Sequence, residues 1–341
     1  MIYSVSTRQF NSLADLDCLP EGEVLEFLKE WFNDKDYIYG HTSGSTGTPK
    51  EIRLNKADMR ASARVTNDFL GIREDSVLLL CLSVSYIAGK MMVVRALEAG
   101  AELLVCRVSS RPLKEWPGDS RIDLAAMVPM QAEESLGHPE EKTKLCNIRQ
   151  LLIGGAPVSS VLEKQLQTVP VRCYATYGMT ETVSHVALRK LGEAGVYFAL
   201  GGVTFSLDNR GCLVVHVPYL QARKFVTNDL AEVIDSRHFR WLGRYDYVIN
   251  SGGIKFSPEV IESKISACIS CRYFITSLPD ERLGQRIVLV IEGEKKEEEE
   301  KLLLEAMRKV LTPYEFPREI IYLFHFYETA SGKIVRKLKC S

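Results

Sequence analysis

No stretch of this chain is apolar for long enough to span a bilayer, and no apolar segment follows its first residues. Met1 to Phe10 mix Ser, Thr, Arg and Gln, so no targeting signal is expected and a cytoplasmic protein is. An excess of one charge is also missing: 43 Lys and Arg stand against 44 Asp and Glu, a net charge of −1. That balance removes the usual cause of non-specific binding to nucleic acid or anionic membranes. A disulfide framework is not indicated, because the nine cysteines are odd in number and lie mostly among apolar residues; a reduced chain is the simplest reading. Cys268 and Cys271 form a C-x-x-C, but no second pair or histidine cluster completes a zinc site. The common P-loop is absent as well, since no Gly-Lys-Ser/Thr triplet occurs.

What is present is a globular composition, 46% hydrophobic over 341 residues, enough for about two domains and a sizeable core. Apolar spacing predicts helices over 22–33, 56–70 and 89–100. Short apolar runs over 76–82, 102–107, 122–128 and 148–153 read as buried strands. Strands alternating with helices imply βαβ units and a mostly parallel sheet. Residues 195–249 change character to short β-rich runs with turn signals. From Asp246 onward the pattern is that of a small α+β unit, with a helix opening at Ser257-Pro258-Glu259 and strands over 273–277 and 286–292. The acidic run at 297–300 leads into Leu302-Leu303-Leu304 and reads as the solvated face of a helix. The fold class expected is therefore α/β: a large domain over 1–245 with mostly parallel sheets and a β-rich subregion, then a small mobile α+β domain over 246–341.

Chemistry first shows in Thr42-Ser43-Gly44-Ser45-Thr46-Gly47-Thr48-Pro49-Lys50. Small residues let backbone N–H groups approach phosphate oxygens, the hydroxyls add donors, and Lys50 supplies charge. A flexible linker would need neither the Pro-Lys end nor the strand-like Ile52-Arg53-Leu54 that follows. This segment resembles the phosphate-binding signature of the adenylate-forming superfamily, the family of acyl-CoA synthetases, luciferases and peptide-synthetase adenylation domains. Further segments resemble that family's signatures in its order: Gly154-Gly155-Ala156-Pro157, Tyr177-Gly178-Met179-Thr180-Glu181-Thr182, Asp229, Gly243-Arg244-Tyr245-Asp246, Gly253, and Ser331-Gly332-Lys333-Ile334 with Arg336. The likeness spans about residues 38–338.

The resemblance implies ATP-dependent activation of a carboxylic acid as an acyl-adenylate, then transfer of the acyl group to CoA. It implies ATP, Mg²⁺ and CoA as the small molecules handled. The residues it implicates in the nucleotide site are Thr42, Ser43, Gly44, Ser45, Thr46, Gly47, Lys50, Gly154, Gly155, Ala156, Pro157, Tyr177, Gly178, Asp229 and Arg244, with Thr180 on a phosphate oxygen and Glu181 on the metal. Lys333 would bridge the carboxylate and the α-phosphate, where two anions meet and fixed positive charge lowers the barrier. Asp246 would be the hinge, and Gly253 would line the thiol's path. Alternatives for Lys333 and Asp229 are a solvated tail lysine and a turn residue in Asn228-Asp229.

Short chains of this kind resemble the o-succinylbenzoate–CoA ligases of menaquinone biosynthesis, through Met127-Val128-Pro129-Met130-Gln131, Ala88-Gly89 with Arg95, and Tyr-Gly-Met-Thr-Glu-Thr-Val-Ser at 177–184. A dianionic acid needs its second carboxylate held. Arg95 is the candidate clamp, with Lys90 and Tyr86 nearby in sequence and Ser184 as a possible donor. Arg95 is flanked by Met91, Met92, Val93, Val94 and Ala96, so burying it without an anion would be costly; an Arg reaching solvent is the alternative. Two departures from the family's pattern stand out: Ser83 and Tyr86 where it often has Pro and His, and Tyr327-Glu328-Thr329 where it prefers Pro-Lys-Thr. His41, His185 and His216 are read as structural or substrate-adjacent, because this chemistry needs no strong base. Most of the family's usual N-terminal subdomain is expected to be missing. Expected partners are the acid, ATP and CoA, with no nucleic acid and no stable membrane insertion, and with a homodimer left open. Other readings are an aryl or fatty acid–CoA ligase with a neutral pocket, a stand-alone amino-acid adenylation module, and a non-catalytic nucleotide-binding relative.

Overall fold

The computed structural model describes residues 2–41, 51–118, 120–327, 334–336 and 338. Strand β1 is Tyr3–Ser6. Helix α1 (Glu23–Phe32) turns Val24, Phe27, Leu28 and Trp31 inward, the spacing of one helical face. The hairpin β2 (Tyr37–His41) and β3 (Glu51–Asn55) pairs His41 directly with Glu51. Helix α2 (Lys56–Leu70) starts where the Asn55 side chain accepts from the N–H groups of Ala57 and Asp58 and stops at Gly71, φ +67°. Then follow β4 (Val77–Leu80), α3 (Ile87–Ala99), β5 (Glu102–Val105) and β6 (Leu124–Met127). Helix α4 (Pro129–Gly137) carries Pro in its first turn, and the Gln131 side chain accepts from the N–H of Val128. Gln131 also donates to the carbonyls of Cys81 and Ser109 at 3.0 and 2.9 Å, so this buried residue is a peg holding three segments together.

Next come α5 (Pro139–Leu145), β7 (Gln150–Ile153), α6 (Ser160–Leu166), β8 (Arg172–Gly178) and β9 (His185–Lys190). The β-rich subregion contains β10 (Tyr197–Ala199), β11 (Thr204–Leu207), β12 (Cys212–His216), β13 (Lys224–Asp235) and β14 (His238–Arg244). The final segment holds β15 (Ile249–Ser251), β16 (Ile254–Phe256), α7 (Pro258–Ile265), β17 (Tyr273–Asp280), β18 (Gly284–Glu292), α8 (Glu297–Val310) and β19 (Glu319–Leu323).

Among the described residues, twelve strands form one sheet in the order β1-β5-β4-β6-β7-β8-β9-β10-β14-β13-β12-β11. The βαβ reading applies to its run β5-β4-β6-β7-β8, which is parallel. The β-rich subregion is not a separate layer. It extends the same sheet antiparallel, beginning where β9 pairs with β8. The parallel strands are buried on both faces, and alternate residues serve different cores. Leu78, Leu80, Leu124, Ala126 and Leu152 face the core shared with α1, α2 and α3. Leu79, Ala125, Met127, Leu151 and Ile153 face the core shared with Ala132 of α4 and Leu162 and Leu166 of α6.

Cys81, Cys106 and Cys173 lie in that second core. Burial pushes the Cys106 thiol up to about 11 and the Cys173 thiol up to about 12. Cys18, Cys146 and Cys271 are exposed, and every cysteine among the described residues is free.

A second sheet, ordered β16-β15-β18-β17 with β19 beside β18, packs against α7 and α8 around Ile249, Ile261, Ile275, Leu289 and Met307. Helix α8 has four glutamates in its first turn and Arg308 and Lys309 in its last, matching the helix dipole, and Met307 is its one buried residue. Ser257 precedes α7 but does not cap it: its hydroxyl donates to the Leu242 carbonyl at 2.6 Å, tying α7 to β14.

Gly89 of α3 lies against the chain entering that helix. A Cβ built there would overlap the Ser83 carbonyl, with its carbon 2.6 Å away. Gly89→Ala should therefore lower stability by about 1–3 kcal/mol, despite the better helix propensity of alanine. The urea midpoint reads this out, and an unchanged or higher midpoint would contradict so close an approach.

Candidate active site

The sheet changes from parallel to antiparallel between β8 and β9, and several expected residues meet there. The carboxyl ends of parallel strands beside such a switch are where open α/β sheets leave a crevice. Tyr177 is near the end of β8, and its hydroxyl donates to Asp229 Oδ2 at 2.7 Å. Asp229 is buried within β13 rather than in a turn, opposite Arg244 of β14 in the strand register. Its Oδ1 accepts from Trp241 Nε1 at 3.2 Å and from Arg244 Nη1 at 3.5 Å, while its backbone N–H donates to Thr227 Oγ1 at 3.0 Å. Burial first, then the Asp229 charge, pushes the Tyr177 phenol well above its ordinary value. Burial works against the Arg244 charge, but Asp229 and Asp246 outweigh it and the pKa is raised. Asp246 accepts from Arg244 Nη2 at 3.0 Å and from Asn228 Nδ2 at 3.3 Å. The expected ribose carboxylate, its arginine and the expected hinge residue thus form one hydrogen-bonded chain.

Gly178 ends β8 under the following turn, where a Cβ would sit 2.5 Å from the His185 Cα. Between them lie a short 3₁₀ turn, Thr180–Thr182, and Val183 at φ +54°, the one positive-φ non-glycine among the described residues. A β-branched residue there is strained, at a cost of about 1–3 kcal/mol. Thr182 steadies the turn, its hydroxyl accepting from the Met179 N–H at 3.0 Å and lying 2.8 Å from the Ser184 carbonyl oxygen. Glu181 is exposed on it, while Thr180 is partly buried.

Thr42, Ser43, Gly44, Ser45, Thr46, Gly47 and Lys50 lie outside the described residues. Their stem does not: a Cβ at Gly40 of β2 would lie 3.5 Å from Thr180 Cγ2, so the base of the β2–β3 loop adjoins the Thr180 turn. Gly154 follows β7, where a Cβ would collide with Thr176 Oγ1 one residue before Tyr177. Gly155 takes φ +85°, and Ala156 and Pro157 are exposed after it.

Arg95 reaches this turn from α3. It is 2% exposed, and Nη2 donates to Ser184 Oγ at 2.6 Å. Nη1 meets only the Met92 sulfur at 3.7 Å, and Nε has no partner. No carboxylate pairs with it among the described residues. Burial lowers its pKa to about 10. An arginine reaching solvent is thereby excluded.

Lys90 does not join Arg95. Five residues earlier, it is turned about 140° around the helix and lies 3.2 Å from Glu30 Oε2 and 4.7 Å from the centre of the Phe27 ring. Tyr86 stands 44% exposed at the start of α3. Gly253 is at the tip of the β15–β16 hairpin, where Gly252 and Gly253 both have positive φ. Lys333 is outside the described residues. Sequence reading missed Trp241, which carries no motif signal, and Tyr219, whose buried hydroxyl lacks a partner and which sits close enough to Arg95 to influence its charge.

His185 is buried beside this arginine, with Nε2 3.0 Å from Thr66 Oγ1. Burial, then the Arg95 charge, pushes its pKa well below the ordinary value. In the unfolded chain the ring takes a proton near about pH 6.5. Below that pH the unfolded state holds more protons than the folded one, so stability is complete above about pH 6.5 and falls with acidification. His185→Gln should flatten that fall, by at most about 1.4 kcal/mol per pH unit between about pH 6.5 and 5. Urea midpoints across this range test it, and an unaltered slope would mean that the ring protonates freely in the folded state.

The family model for AMP-binding enzymes matches residues 13–211. A probable 2-succinylbenzoate–CoA ligase of Mycobacterium tuberculosis is 32% identical over 284 residues, covering 77% of this chain and 72% of that protein. The crystal structure of an AMP-forming acyl-CoA synthetase/AMP-acid ligase II-like protein from Dyadobacter fermentans is 34% identical, covers 98% of this chain and 97% of its own, and superposes with a TM-score of 0.65. The o-succinylbenzoate CoA synthetase of Bacillus subtilis, solved with its acyl-adenylate intermediate, shares the fold at a TM-score of 0.76 and 21% identity, over 89% of this chain and 69% of that one. With its Tyr177–Asp229–Arg244 network beside the parallel-to-antiparallel switch, the chain belongs to the AMP-binding enzyme family.

Proposed function

We propose that this chain is an o-succinylbenzoate–CoA ligase, joining the acid to AMP with release of pyrophosphate and then passing the acyl group to CoA. The observation that carries the substrate is Arg95: a buried guanidinium with one hydroxyl partner, a bare Nε and no carboxylate among the described residues. Such a cation suits a ligand that brings its own anion. The second carboxylate of o-succinylbenzoate supplies that charge, while the first reacts. Ser184 then orients the guanidinium, and its hydroxyl proton remains available to the ligand.

In this reading Asp229 and Arg244 hold the ribose, and Tyr177 and Gly154–Pro157 flank the adenine. Residues 42–50 cradle the phosphates above the Gly40–Thr180 stem. Among the described residues Glu181 has no protein partner, and no group of three potential ligands is assembled for a metal. That fits Mg²⁺, which takes one or two carboxylates and completes its shell from phosphates and water; bound there, it would neutralise charge on the triphosphate. Lys333 sets its charge between carboxylate and α-phosphate, and Gly253 borders the thiol's approach. Residues 1–245 and 246–341 act as two domains about Asp246, in the cytoplasm, where all three small molecules are at hand.

CoA-ligation rates on o-succinylbenzoate, benzoate, cinnamate and octanoate test the substrate. Monoacids should be rejected by on the order of 10⁴ or more, because they leave Arg95 unpaired; equal rates on a monoacid would sink the proposal. Arg95→Met should raise KM for o-succinylbenzoate far more than KM for ATP, without loss of stability, since removing an uncompensated buried cation is neutral or favourable. An unchanged KM would clear Arg95.

A further inference from the structure

Strand β14 carries one residue more than its partner β13 where it passes Asp229. Asp229 stands opposite Arg244 and Leu230 opposite Gly243, but Ala231 stands opposite Trp241, so Leu242 has no counterpart. In a regular strand side chains alternate between the two faces, and residues three apart, such as Trp241 and Arg244, point to opposite sides. An extra residue resets that alternation. Here it brings both side chains to one atom: Asp229 Oδ1 lies 3.2 Å from Trp241 Nε1 and 3.5 Å from Arg244 Nη1. The other oxygen, Oδ2, accepts from the Tyr177 hydroxyl at 2.7 Å. Phe239, two residues before Trp241, meets the Tyr177 ring edge-on with 5.0 Å between centroids. The inserted residue itself turns away: Leu242 is 36% exposed, and its carbonyl accepts from the Ser257 hydroxyl.

We propose that Trp241 is the positioning residue for Asp229: its indole N–H pins Oδ1 as the Tyr177 hydroxyl pins Oδ2, and so fixes the plane of the carboxylate that receives both ribose hydroxyls of the nucleotide. This rests on the ribose role given to Asp229 above. The terminal torsion of an aspartate is soft, so a carboxylate held at one oxygen is free to turn, and donors on both oxygens are what hold its plane. An ionised carboxylate has about four acceptor directions. The indole takes one on Oδ1 and the phenol one on Oδ2. Arg244, at 3.5 Å, supplies charge more than a hydrogen bond. One direction therefore stays open on each oxygen, the pair that a vicinal diol needs. Trp241 touches no substrate in this scheme and acts only by orienting Asp229.

The test is calorimetric binding of AMP, and of its 2′-deoxy and 3′-deoxy analogues, to the full-length protein. Asp229→Asn is the reference. Trp241→Phe keeps an aromatic ring and removes the donor. It should weaken AMP binding by about 10-fold, the scale of one hydrogen bond to a charged group. The deoxy analogues should lose much less, so that the preference for the full ribose shrinks. KM for ATP should rise by more than kcat falls. A tryptophan that only fills space would lower the urea midpoint and leave the preference where it was. An unchanged preference in Trp241→Phe, with Asp229→Asn impaired, therefore overturns the positioning role. The unaltered protein gives a second reading that no folding failure can spoil. The chain has three tryptophans, and AMP should shift the indole N–H signal of Trp241 while adenine alone does not; a Trp241 signal indifferent to AMP also overturns the proposal. If Asp229→Asn binds AMP normally, the ribose assignment itself fails, and this proposal fails with it.

Discussion

A guanidinium withdrawn from water costs several kcal/mol unless something compensates its charge, and among the described residues Arg95 receives only a serine hydroxyl and a thioether. Much of the local architecture holds that cation in place. Helix α3 supplies it from a segment buried on every side, with Met91, Met92, Val93 and Val94 all withdrawn from water, while the Asn67 side chain of α2 donates to the Arg95 carbonyl at 2.9 Å. On the other side Ser184 must be delivered to it by a turn so short that Val183 adopts a left-handed conformation. Neighbouring His185 stays neutral as a result, since a second buried positive charge would compound the cost. The depressed basicity of His185 comes first from its own burial and then from the neighbouring Arg95 charge.

On the function proposed above, the same turn would join acid recognition to the nucleotide side. Tyr177, Thr180, Glu181 and Ser184 span eight consecutive residues across the junction of the parallel and antiparallel halves of the sheet. Asp229 and Arg244 come from neighbouring antiparallel strands and reach Tyr177 through one short hydrogen bond. The Asp246–Asn228 and Asp246–Arg244 contacts carry the chain of polar links to the edge of the small sheet. Ser160 Oγ donates to Ser266 Oγ at 2.7 Å, a bridge between the two parts beside that from Ser257 to the Leu242 carbonyl.

Much of this was legible in the sequence, for identifiable reasons. The helix at 56–70 carries clear apolar periodicity and a glycine stop and falls where the spacing puts it, while the one expected at 89–100, apolar on nearly every side, runs from Ile87 to Ala99. The motif residues of β8, β13 and β14 were legible through their resemblance to the family's signatures; Asp229 and Arg244 meet as register partners, and Tyr177 reaches Asp229 through its side chain from a strand that pairs with neither. Lys90 is different: proximity in sequence suggested a partner for Arg95, but helical rotation sends it to Glu30 on α1, an ion pair no local pattern reveals. Likewise β1 at the sheet edge and β19 beside β18 are short strands stabilised by distant neighbours, and they left little local trace. Tyr219 and Trp241 matter through tertiary contacts alone. Ser257 looked like a helix cap, yet its side chain accepts no N–H of the first turn and instead donates to the Leu242 carbonyl.

The uneven burial of the cysteines divides the molecule into inert and addressable sulfur. Thiols in the core beneath the parallel strands are both shielded and hard to ionise, so electrophiles and peroxide will pass them by. Cys146, after α5, and Cys271, before β17, face solvent on opposite sides of the Asp246 junction. Cys146 and Cys271 are therefore natural attachment points for dyes or spin labels on either side of Asp246, and any motion about that residue would register as a changing distance once Cys18, Cys268 and Cys340 are replaced.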